Sequence, residues 1–229
     1  MSIFACYTNH NPDKPMNRIK LAILDFDGTL GDTTDLIVRT TQAAIKELGL
    51  PERSDEQCAA MIGLRLVEIP PVLFPECDVD RDLYAATYRR IFNELNTDGA
   101  VQLYPNVIET LKEMKRRGII LTIASSRSNA SLTEYINNLG LSSTITYILG
   151  ANDVKQGKPH PEAVLKTLEK YNIPAEEAIM VGDTIFDIEM GRNAGTKTCG
   201  VTYGNGSRES LSTADWLIDD FSQLLELTA

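Results

Sequence analysis

The sequence predicts an α/β protein whose core is a doubly wound, Rossmann-like parallel sheet, with an all-helical domain inserted near its start. Three observations lead to this prediction. Short apolar runs that end in turn-forming residues recur along the chain, as expected of buried strands. Helical patterns separate the later runs, which is the alternation typical of βαβ units. One long segment close to the N-terminus has helical patterns alone.

Five apolar runs are the predicted strands of the sheet. Each is short and is followed by a turn-forming residue such as Gly, Asp or Ser, a pattern typical of strands that are buried on both faces. In chain order they span residues 20–28, 119–126, 146–150, 178–183 and 197–204. Because ligands of a parallel sheet bind beyond the carboxyl ends of its strands, the polar residues that end these runs are the candidate site.

The helix predicted before the second strand illustrates the alternation. Val107, Leu111 and Met114 repeat at intervals of four and three residues, which places them on one face of a helix. Gly118 follows this pattern and can adopt the left-handed conformation that ends many helices. We therefore expect an amphipathic helix that packs on the sheet.

The segment of residues 33–99 is the predicted helical insertion. It has no β-branched run comparable with the strands, but it holds two helical patterns, DLIVRTTQAAIKELG and RDLYAATYRRIFNEL. The aromatic residues of the second pattern recur at helical spacing, so we expect them to form core rather than to bind a ligand. Polar and glycine-containing stretches at residues 31–33 and 96–99 are the expected hinges.

This division places one domain inside another. A chain of 229 residues is long enough for an α/β core and one smaller insertion. The core domain would consist of residues 19–32 and 100–229, and the insertion of residues 33–99. Residues 1–18 are polar, rich in turn formers and without period, so we expect them to be a disordered extension.

Charge and composition argue against several functional classes. The net charge of −10 opposes binding to nucleic acid, and no cluster of Lys and Arg offsets it. No apolar run has the length of a signal peptide or a membrane helix, which predicts a cytoplasmic protein without a membrane partner. The four cysteines are scattered and only two histidines are present, which favours thiols over a zinc site. An anionic substrate would depend on a few well-placed cations.

The strongest functional signal is DFDGTL, residues 25–30, at the end of the first predicted strand. Asp25 and Asp27 flank one apolar residue, so their side chains would share one face of an extended segment. Gly28 would allow the chain to turn sharply after them. The alternative interpretation is an ordinary Asx turn, since Asp and Gly are common where strands end.

Three further segments carry polar groups near predicted strand ends. Ser125 ends the second strand, where a hydroxyl could bind a phosphate oxygen. Lys158 stands in GKPHP, where two prolines restrict the backbone. Asp183 and Asp187, in GDTIFD, suit a hard cation that prefers oxygen ligands. Taken singly, each has a structural alternative, a helix cap for the serine and the aspartates and a proline-led helix start for the lysine.

The order of these segments, DxDGT, Ser, KP and GDxxxD, resembles the haloacid dehalogenase superfamily. The resemblance extends from about residue 19 to residue 225, and the helical insertion is similar to the C1 cap domain of that superfamily. The segments YPNV, residues 104–107, and TYGNG, residues 202–206, are similar to phosphoglycolate phosphatases within it. Asn106 is a departure, because those relatives usually carry Gly there.

The resemblance implies a phosphatase that depends on Mg²⁺ and acts on a small phosphorylated metabolite. Asp25 would be the nucleophile that forms an aspartyl-phosphate, and Asp27 would be first the general acid and then the general base. Lys158 would add positive charge beside Asp25. The Mg²⁺ ion would be held by Asp25, by Asp183 as a direct ligand, by Asp187 either directly or through water, and by the backbone carbonyl of Asp27.

Substrate binding is assigned through the same resemblance. Ser125 and the backbone amides of Gly28 and Ser126 would hold the phosphate, and Thr29 and Arg127 are further substrate-binding candidates. In the cap, Arg65 or Arg39 would contact the rest of the substrate, and a solvated helix face is the alternative for both. Neither the substrate nor the choice between a monomer and a homodimer follows from the sequence.

Two other activities and one binding function are alternatives. A β-phosphoglucomutase-like enzyme would tend to carry Val in place of Thr29 and Glu-Asp in place of Gly182-Asp183. A haloacid dehalogenase would lack the aspartate at Asp27 and would need no metal. A non-enzymatic receiver domain would also have strand-end aspartates around a lysine, but it would not explain the helical insertion.

Overall fold

The computed structural model describes residues 18–97 and 101–228. The predicted disordered extension lies outside these ranges except for Arg18, and so do residues 98 and 99 of the second predicted hinge. Within the ranges that are described, no helix combines the length and apolar character that a membrane span requires.

The described strands form one parallel sheet and a separate short ribbon. In chain order they are β1 (Leu21–Leu24), β2 (Gly31–Asp32), β3 (Gln102–Leu103), β4 (Ile120–Ala124), β5 (Tyr147–Leu149), β6 (Ala178–Gly182), β7 (Lys197–Val201) and β8 (Trp216–Ile218). The main sheet has the order β5-β4-β1-β6-β7-β8, and all its neighbouring strands are parallel. β2 and β3 pair antiparallel where the chain leaves and re-enters the core.

Helices cover both faces of the sheet and make up the insertion. They are α1 (Thr34–Glu47), α2 (Asp55–Ala59), α3 (Ile69–Leu73), α4 (Arg81–Leu95), α5 (Val107–Arg116), α6 (Asn129–Asn138), α7 (Glu162–Tyr171), α8 (Ile185–Asn193) and α9 (Leu224–Leu227). The helices α1 to α4 lie between β2 and β3 and pack around their own apolar cluster. This confirms the doubly wound core with a helical insertion, while the domain boundaries at 32/33 and 99/100 stay a prediction.

Alternation along the central strand explains why helices lie on both faces. Ala22 and Leu24 of β1 belong to the cluster that α5 and α6 complete, whereas Leu21 and Ile23 belong to the cluster that α7 and α8 complete. All four side chains are buried. Successive side chains of a strand point to opposite faces, so a strand that is apolar throughout requires cover on both sides.

Two details of the sequence prediction have a structural explanation. Gly118 has φ +84°, as expected of a glycine that follows a helix end. Asn106 has φ 64° immediately before α5, which accounts for the glycine usual at this position in similar proteins. Asn tolerates the left-handed conformation better than most residues that carry a Cβ atom. Its side-chain amide also donates a 2.8 Å hydrogen bond to Asp220.

The five predicted strands are present as β1, β4, β5, β6 and β7. Strand β8 was not predicted, because its apolar run has only three residues and no clear period. Trp216 within it is buried. β1 lies between β4 and β6. From β1 the chain adds β4 and β5 towards one edge of the sheet and then β6, β7 and β8 towards the other edge, so the direction of strand order reverses at β1. At such a reversal the carboxyl ends of adjacent strands border a common crevice.

Candidate active site

The candidate site lies at the carboxyl ends of the three central strands. Asp25 follows β1, Ser125 follows β4 and Asp183 follows β6. The register aligns Leu24 with Ile123 on one side and with Val181 on the other, so the residues beyond these positions emerge at the same level. Sheet pairing therefore brings Asp25 together with residues that lie 100 or more positions later in the chain.

Three buried carboxylates form the centre of the site. One oxygen atom from each of Asp25, Asp183 and Asp187 lies within 4.8 Å of the other two. Their exposed fractions are 2%, 0% and 0%. Lys158 is buried beside them, with its Nζ atom 2.7 Å from Asp25 Oδ1 and 2.5 Å from Asp187 Oδ1. The described site thus sets one ammonium group against three carboxylates.

This donor set fits a hard divalent cation. Buried like charges repel strongly unless they are neutralised, and a single ammonium leaves an excess of negative charge. Asp25 Oδ1 is buried, and apart from its ion pair with Lys158 it has no hydrogen-bond partner among the described residues. Carboxylate oxygens are the ligands that Mg²⁺ prefers. Asp25, Asp183 and Asp187 could therefore hold Mg²⁺.

Burial changes the protonation of these carboxyl groups. It raises the pKa of Asp25 from 3.8 to about 8, although Lys158 opposes the change. Burial and the neighbouring Asp187 raise the pKa of Asp183 to about 6, against the hydrogen bonds from Asn205. Burial alone would lower the pKa of Lys158, but the attraction of Asp187 and Asp25 outweighs it, so that pKa is raised. In the absence of a cation, the cluster therefore tends to retain a proton.

Competition between protons and metal gives a first testable prediction. The folded chain holds the Asp25 proton up to about pH 8, whereas the unfolded chain loses it near pH 4, so the metal-free protein should lose stability as the pH rises through this interval. Mg²⁺ would bind the ionised form, and we expect it to raise Tm more at about pH 8 than at about pH 5. Thermal melts with Mg²⁺ or with a chelator at both pH values measure this, and equal Mg²⁺ increments would contradict it.

Asp183 is held by residues from two other segments. Thr29 Oγ1 donates to its Oδ1 atom at 3.2 Å, and Asn205 donates to its Oδ2 atom through both its backbone N–H and its side-chain amide at 2.8 Å. A Cβ atom on Gly28 would lie 2.1 Å from Asp183 Oδ2, so the close approach of this loop requires glycine. The side chain of Thr29, predicted to bind substrate, is fully buried and directed at Asp183.

Asp187 is fixed from its own helix. Its Oδ2 atom accepts hydrogen bonds from the backbone N–H of Thr184 at 3.1 Å and from the Thr184 hydroxyl at 2.7 Å. Its Oδ1 atom accepts from Lys158 Nζ. Thr184 stands before α8, so Asp187 occupies the first turn, where it satisfies an otherwise free N–H group. The capping interpretation of this segment and its metal-binding interpretation are therefore compatible.

Asp27 lies outside the group of three carboxylates and has a different partner. Arg127 donates to both of its oxygens, from Nη2 to Oδ1 at 2.6 Å and from Nε to Oδ2 at 3.1 Å. Burial by itself would lower the pKa of the Arg127 guanidinium, but the attraction and the hydrogen bonds of Asp27 outweigh burial, so that the pKa is raised. Arg127 is therefore a permanent cation. The structure therefore directs Arg127, a predicted substrate-binding residue, at the side chain of the predicted acid and base.

The cap contacts the core at the remaining predicted binding residues. Ser126 Oγ donates to the carbonyl of Gly63 in the cap at 2.5 Å. Arg65 pairs with Glu68 and donates from Nη1 to the carbonyl of Lys155 in the core at 3.1 Å. A Cβ atom on Gly157 would lie 2.7 Å from Arg65 Nε. Arg65 thus lies beside the segment that carries Lys158.

The other candidates are placed less centrally. Arg39 is 61% exposed on α1, with Asp35 3.4 Å away, so it lies on a solvated helix face. Ser125 is buried, and its hydroxyl accepts a long 3.4 Å hydrogen bond from the backbone N–H of Arg127. The structure brings Asp25, Lys158, Asp183 and Asp187 into direct contact or close proximity, and binding of substrate by the remaining candidates stays a prediction.

Two residues that orient the site were not predicted. Asn205 belongs to the TYGNG segment, which was recognised only as a resemblance, and Thr184 was noted only as part of GDTIFD. Asn205 also accepts a 2.9 Å hydrogen bond from Thr34 Oγ1 at the start of α1. A polar residue after a strand does not by itself reveal a partner such as Asn205, which lies 22 residues from Asp183.

Known proteins resemble this chain over nearly its whole length. A family model described as haloacid dehalogenase-like hydrolase matches residues 22–201. The chain is 32% identical over 220 residues to a phosphoglycolate phosphatase from Vibrio parahaemolyticus, a match that covers 92% of this chain and 96% of that protein. It is 31% identical over 214 residues to the pyrophosphatase PpaX from Bacillus velezensis, with 92% and 97% covered.

A solved structure supports the same similarity. The structure of a predicted phosphoglycolate phosphatase from Haemophilus somnus matches the chain with a TM-score of 0.79 and 26% sequence identity. The match covers 93% of this chain and 100% of that one. The core and the helical insertion therefore have a counterpart in a single known chain.

Proposed function

This chain belongs to the haloacid dehalogenase-like hydrolase family and is a phosphatase of that family, and on this premise we propose that it hydrolyses a small phosphate monoester with Mg²⁺ as cofactor and through an aspartyl-phosphate on Asp25. The observation that carries the proposal is the contact of Asp25 with Lys158 beside Asp183 and Asp187. A nucleophilic carboxylate that must approach an anionic phosphate requires positive charge next to it. This arrangement provides a lysine and a set of cation ligands at the same point.

The proposed reaction has two steps. In the first, a carboxylate oxygen of Asp25 attacks phosphorus, the P–O bond to the alcohol breaks, and Asp27 gives its proton to the leaving alkoxide. In the second, water attacks phosphorus, Asp27 takes a proton from that water, and the bond to Asp25 breaks, which releases phosphate and restores both aspartates. The Lys158 ammonium stabilises negative charge on the oxygens near Asp25 throughout.

Metal binding would complete the charge balance of the site. Asp25, Asp183 and Asp187 would hold Mg²⁺, together with the backbone carbonyl of Asp27. When it is bound, Mg²⁺ polarises the phosphoryl group and reduces its repulsion from Asp25. The hydrogen bonds from Thr29 and Asn205 leave Asp183 little freedom to rotate, which supports its role as a direct ligand.

The substrate is proposed as a small phosphorylated metabolite similar to phosphoglycolate. The relatives carry two specificities in their names, phosphoglycolate and pyrophosphate, so both compounds belong in the test. The mutase alternative is not favoured, since these relatives are named as phosphatases and pyrophosphatases. A cytoplasmic location, a monomer or homodimer, and the absence of nucleic acid partners stay predictions.

A panel of phosphate esters tests the proposed function. The full-length chain is incubated with phosphoglycolate, pyrophosphate, hexose phosphates and nucleoside monophosphates, in Mg²⁺ or in a chelator, and released phosphate is measured. We expect hydrolysis of at least one small compound, lost in chelator and inhibited by excess Ca²⁺, because Ca²⁺ takes longer bonds and more ligands than the reaction geometry allows.

The mutase activity is measured with the same protein. β-Glucose 1-phosphate is supplied with Mg²⁺ and a trace of the bisphosphate, and glucose 6-phosphate and free phosphate are followed together. Formation of glucose 6-phosphate faster than phosphate release from every ester of the panel would contradict the phosphatase assignment. Full hydrolytic activity in chelator would contradict the Mg²⁺ requirement.

A further inference from the structure

The pairing of Arg127 with Asp27 gives Arg127 a task other than phosphate binding. The guanidinium edge formed by Nε and Nη2 faces both oxygens of Asp27, and Nη1 donates to Ser131 Oγ at 3.3 Å. The two side chains are only 10% and 13% exposed. A two-point contact of this kind fixes the plane of a carboxylate as well as its distance. The same edge is then occupied and cannot form a fork-like contact with phosphate.

Two aromatic rings hold the guanidinium in place. Its carbon lies 4.7 Å from the ring centre of Phe92 and 5.2 Å from that of Tyr135, both within the range of a cation–π contact. Tyr135 also stacks on Phe26, at a ring-centre distance of 5.3 Å. Because Phe26 separates the two aspartates in the chain, the same group of side chains supports the segment and the orientation of Asp27.

The two rings come from different parts of the fold. Phe92 belongs to α4 in the cap, whereas Tyr135 belongs to α6 in the core. The Tyr135 hydroxyl donates a 2.8 Å hydrogen bond to Asn96 Oδ1, one residue beyond α4. The support of Arg127 is therefore complete only while α4 lies against the core, and displacement of the cap would remove one ring from the guanidinium.

We propose that Arg127 is a positioning residue for Asp27, and that Phe92 of the cap makes this positioning depend on contact between cap and core. The proposal rests on the function proposed above, in which Asp27 must face the leaving alcohol and then the attacking water. Misplacing an acid or base by about 1 Å costs roughly a hundredfold in rate. Arg127 would hold the carboxylate in the orientation that lets it accept a proton from water.

The test separates the two chemical steps by the choice of substrate. With p-nitrophenyl phosphate the leaving group needs no proton, so a protein with a misplaced Asp27 should form the aspartyl-phosphate and then hydrolyse it slowly. For the Mg²⁺-loaded Arg127→Met variant we expect a burst of about one p-nitrophenol per chain and a kcat about a hundredfold below wild type. Because hydrolysis of the aspartyl-phosphate limits turnover in a protein that shows a burst, KM should fall together with kcat, whereas kcat/KM and inhibition by inorganic phosphate should stay within about threefold of wild type.

Comparison variants complete the experiment. Asp27→Asn should show the same burst, and Arg127→Lys should recover part of kcat. Phe92→Leu should lower kcat about three- to tenfold without lowering kcat/KM, in line with the energy of a cation–π contact. Matched controls come from the cap, where Arg53 pairs with Glu76 and lies 4.8 Å from the ring centre of Phe74. Arg53→Met and Phe74→Leu should keep the wild-type kcat and show no enhanced burst.

Several outcomes would overturn the proposal. If Arg127→Met keeps kcat but raises KM and weakens inhibition by phosphate, then Arg127 binds substrate. If the Phe74 and Phe92 variants lose kcat equally, the effect of Phe92 is only structural. Should Arg127→Met fail to fold, the Arg127→Lys and Phe92→Leu variants provide the same comparison, and wild-type kcat in both would refute the proposal. A wild-type protein without Mg²⁺-dependent hydrolysis of any ester would instead refute the proposed function on which it rests.

Discussion

Replacement of Asp25 by Asn is expected to reduce the phosphatase activity by at least about a thousandfold, because an amide oxygen cannot serve as the nucleophile and no other described carboxylate occupies this position. The fold should remain intact. Burial raises the pKa of Asp25, with Lys158 opposing the change, so a neutral amide avoids the cost of a buried charge. Lys158 keeps Asp187 as its partner after the replacement. Phosphate release in Mg²⁺ and thermal melting in chelator measure the two effects.

Asp35→Asn is a suitable control for this variant. Asp35 lies on α1 with 84% of its side chain exposed, and its replacement should change neither activity nor melting. A fully active Asp25→Asn protein would exclude Asp25 as the nucleophile. An inactive variant that is also unfolded would contradict the expectation that the amide is tolerated.

Replacement of Lys158 by Met is expected to affect stability as well as activity. Lys158 is the one cation in direct contact with the buried carboxylate cluster among the described residues, and its side chain is 3% exposed. Removing one partner of a buried charge pair typically costs about 3–5 kcal/mol of unfolding free energy. Activity should fall by at least about a hundredfold, because the positive charge beside the nucleophile is lost. Denaturant unfolding in chelator and phosphate release in Mg²⁺ provide the measurements.

Added Mg²⁺ should recover part of the lost stability, because a divalent cation replaces positive charge among the same carboxylates. Lys20→Met is the matched control, since Lys20 is 56% exposed and pairs with Glu177 near the surface. A surface pair of this kind contributes at most about 1 kcal/mol. Equal unfolding free energies for the wild type and Lys158→Met would show that the cluster does not carry the negative charge assigned to it.

Much of the fold was predictable because its signals are local. A strand that is apolar throughout, such as β1, must be covered by other elements on both faces of the sheet, whatever its neighbouring strands are. This requirement follows from four consecutive apolar residues. The spacing of Val107, Leu111 and Met114 predicts a helix in the same way, since it depends only on the period of the chain. Family similarity is also carried by short segments, so the resemblance that DFDGTL and GDTIFD indicated agrees with the family model that matches residues 22–201.

The partners of the polar side chains were decided by the tertiary structure alone. Arg127 was expected to bind substrate, and nothing in its own segment indicates that its guanidinium would meet Asp27, which lies 100 residues earlier. The same is true of Thr29, whose hydroxyl is directed at Asp183. Periodicity specifies which face of a helix or strand a side chain occupies. A hydrogen bond, in contrast, depends on the donor–acceptor angle and on differences of a few tenths of an ångström in the donor–acceptor distance. These angles and distances are set only when β1 pairs with strands about 100 or more residues later in the chain and the cap packs against them. The sequence by itself therefore determined which polar groups reach this edge of the sheet. The packing of the tertiary structure determined which of those groups bind one another.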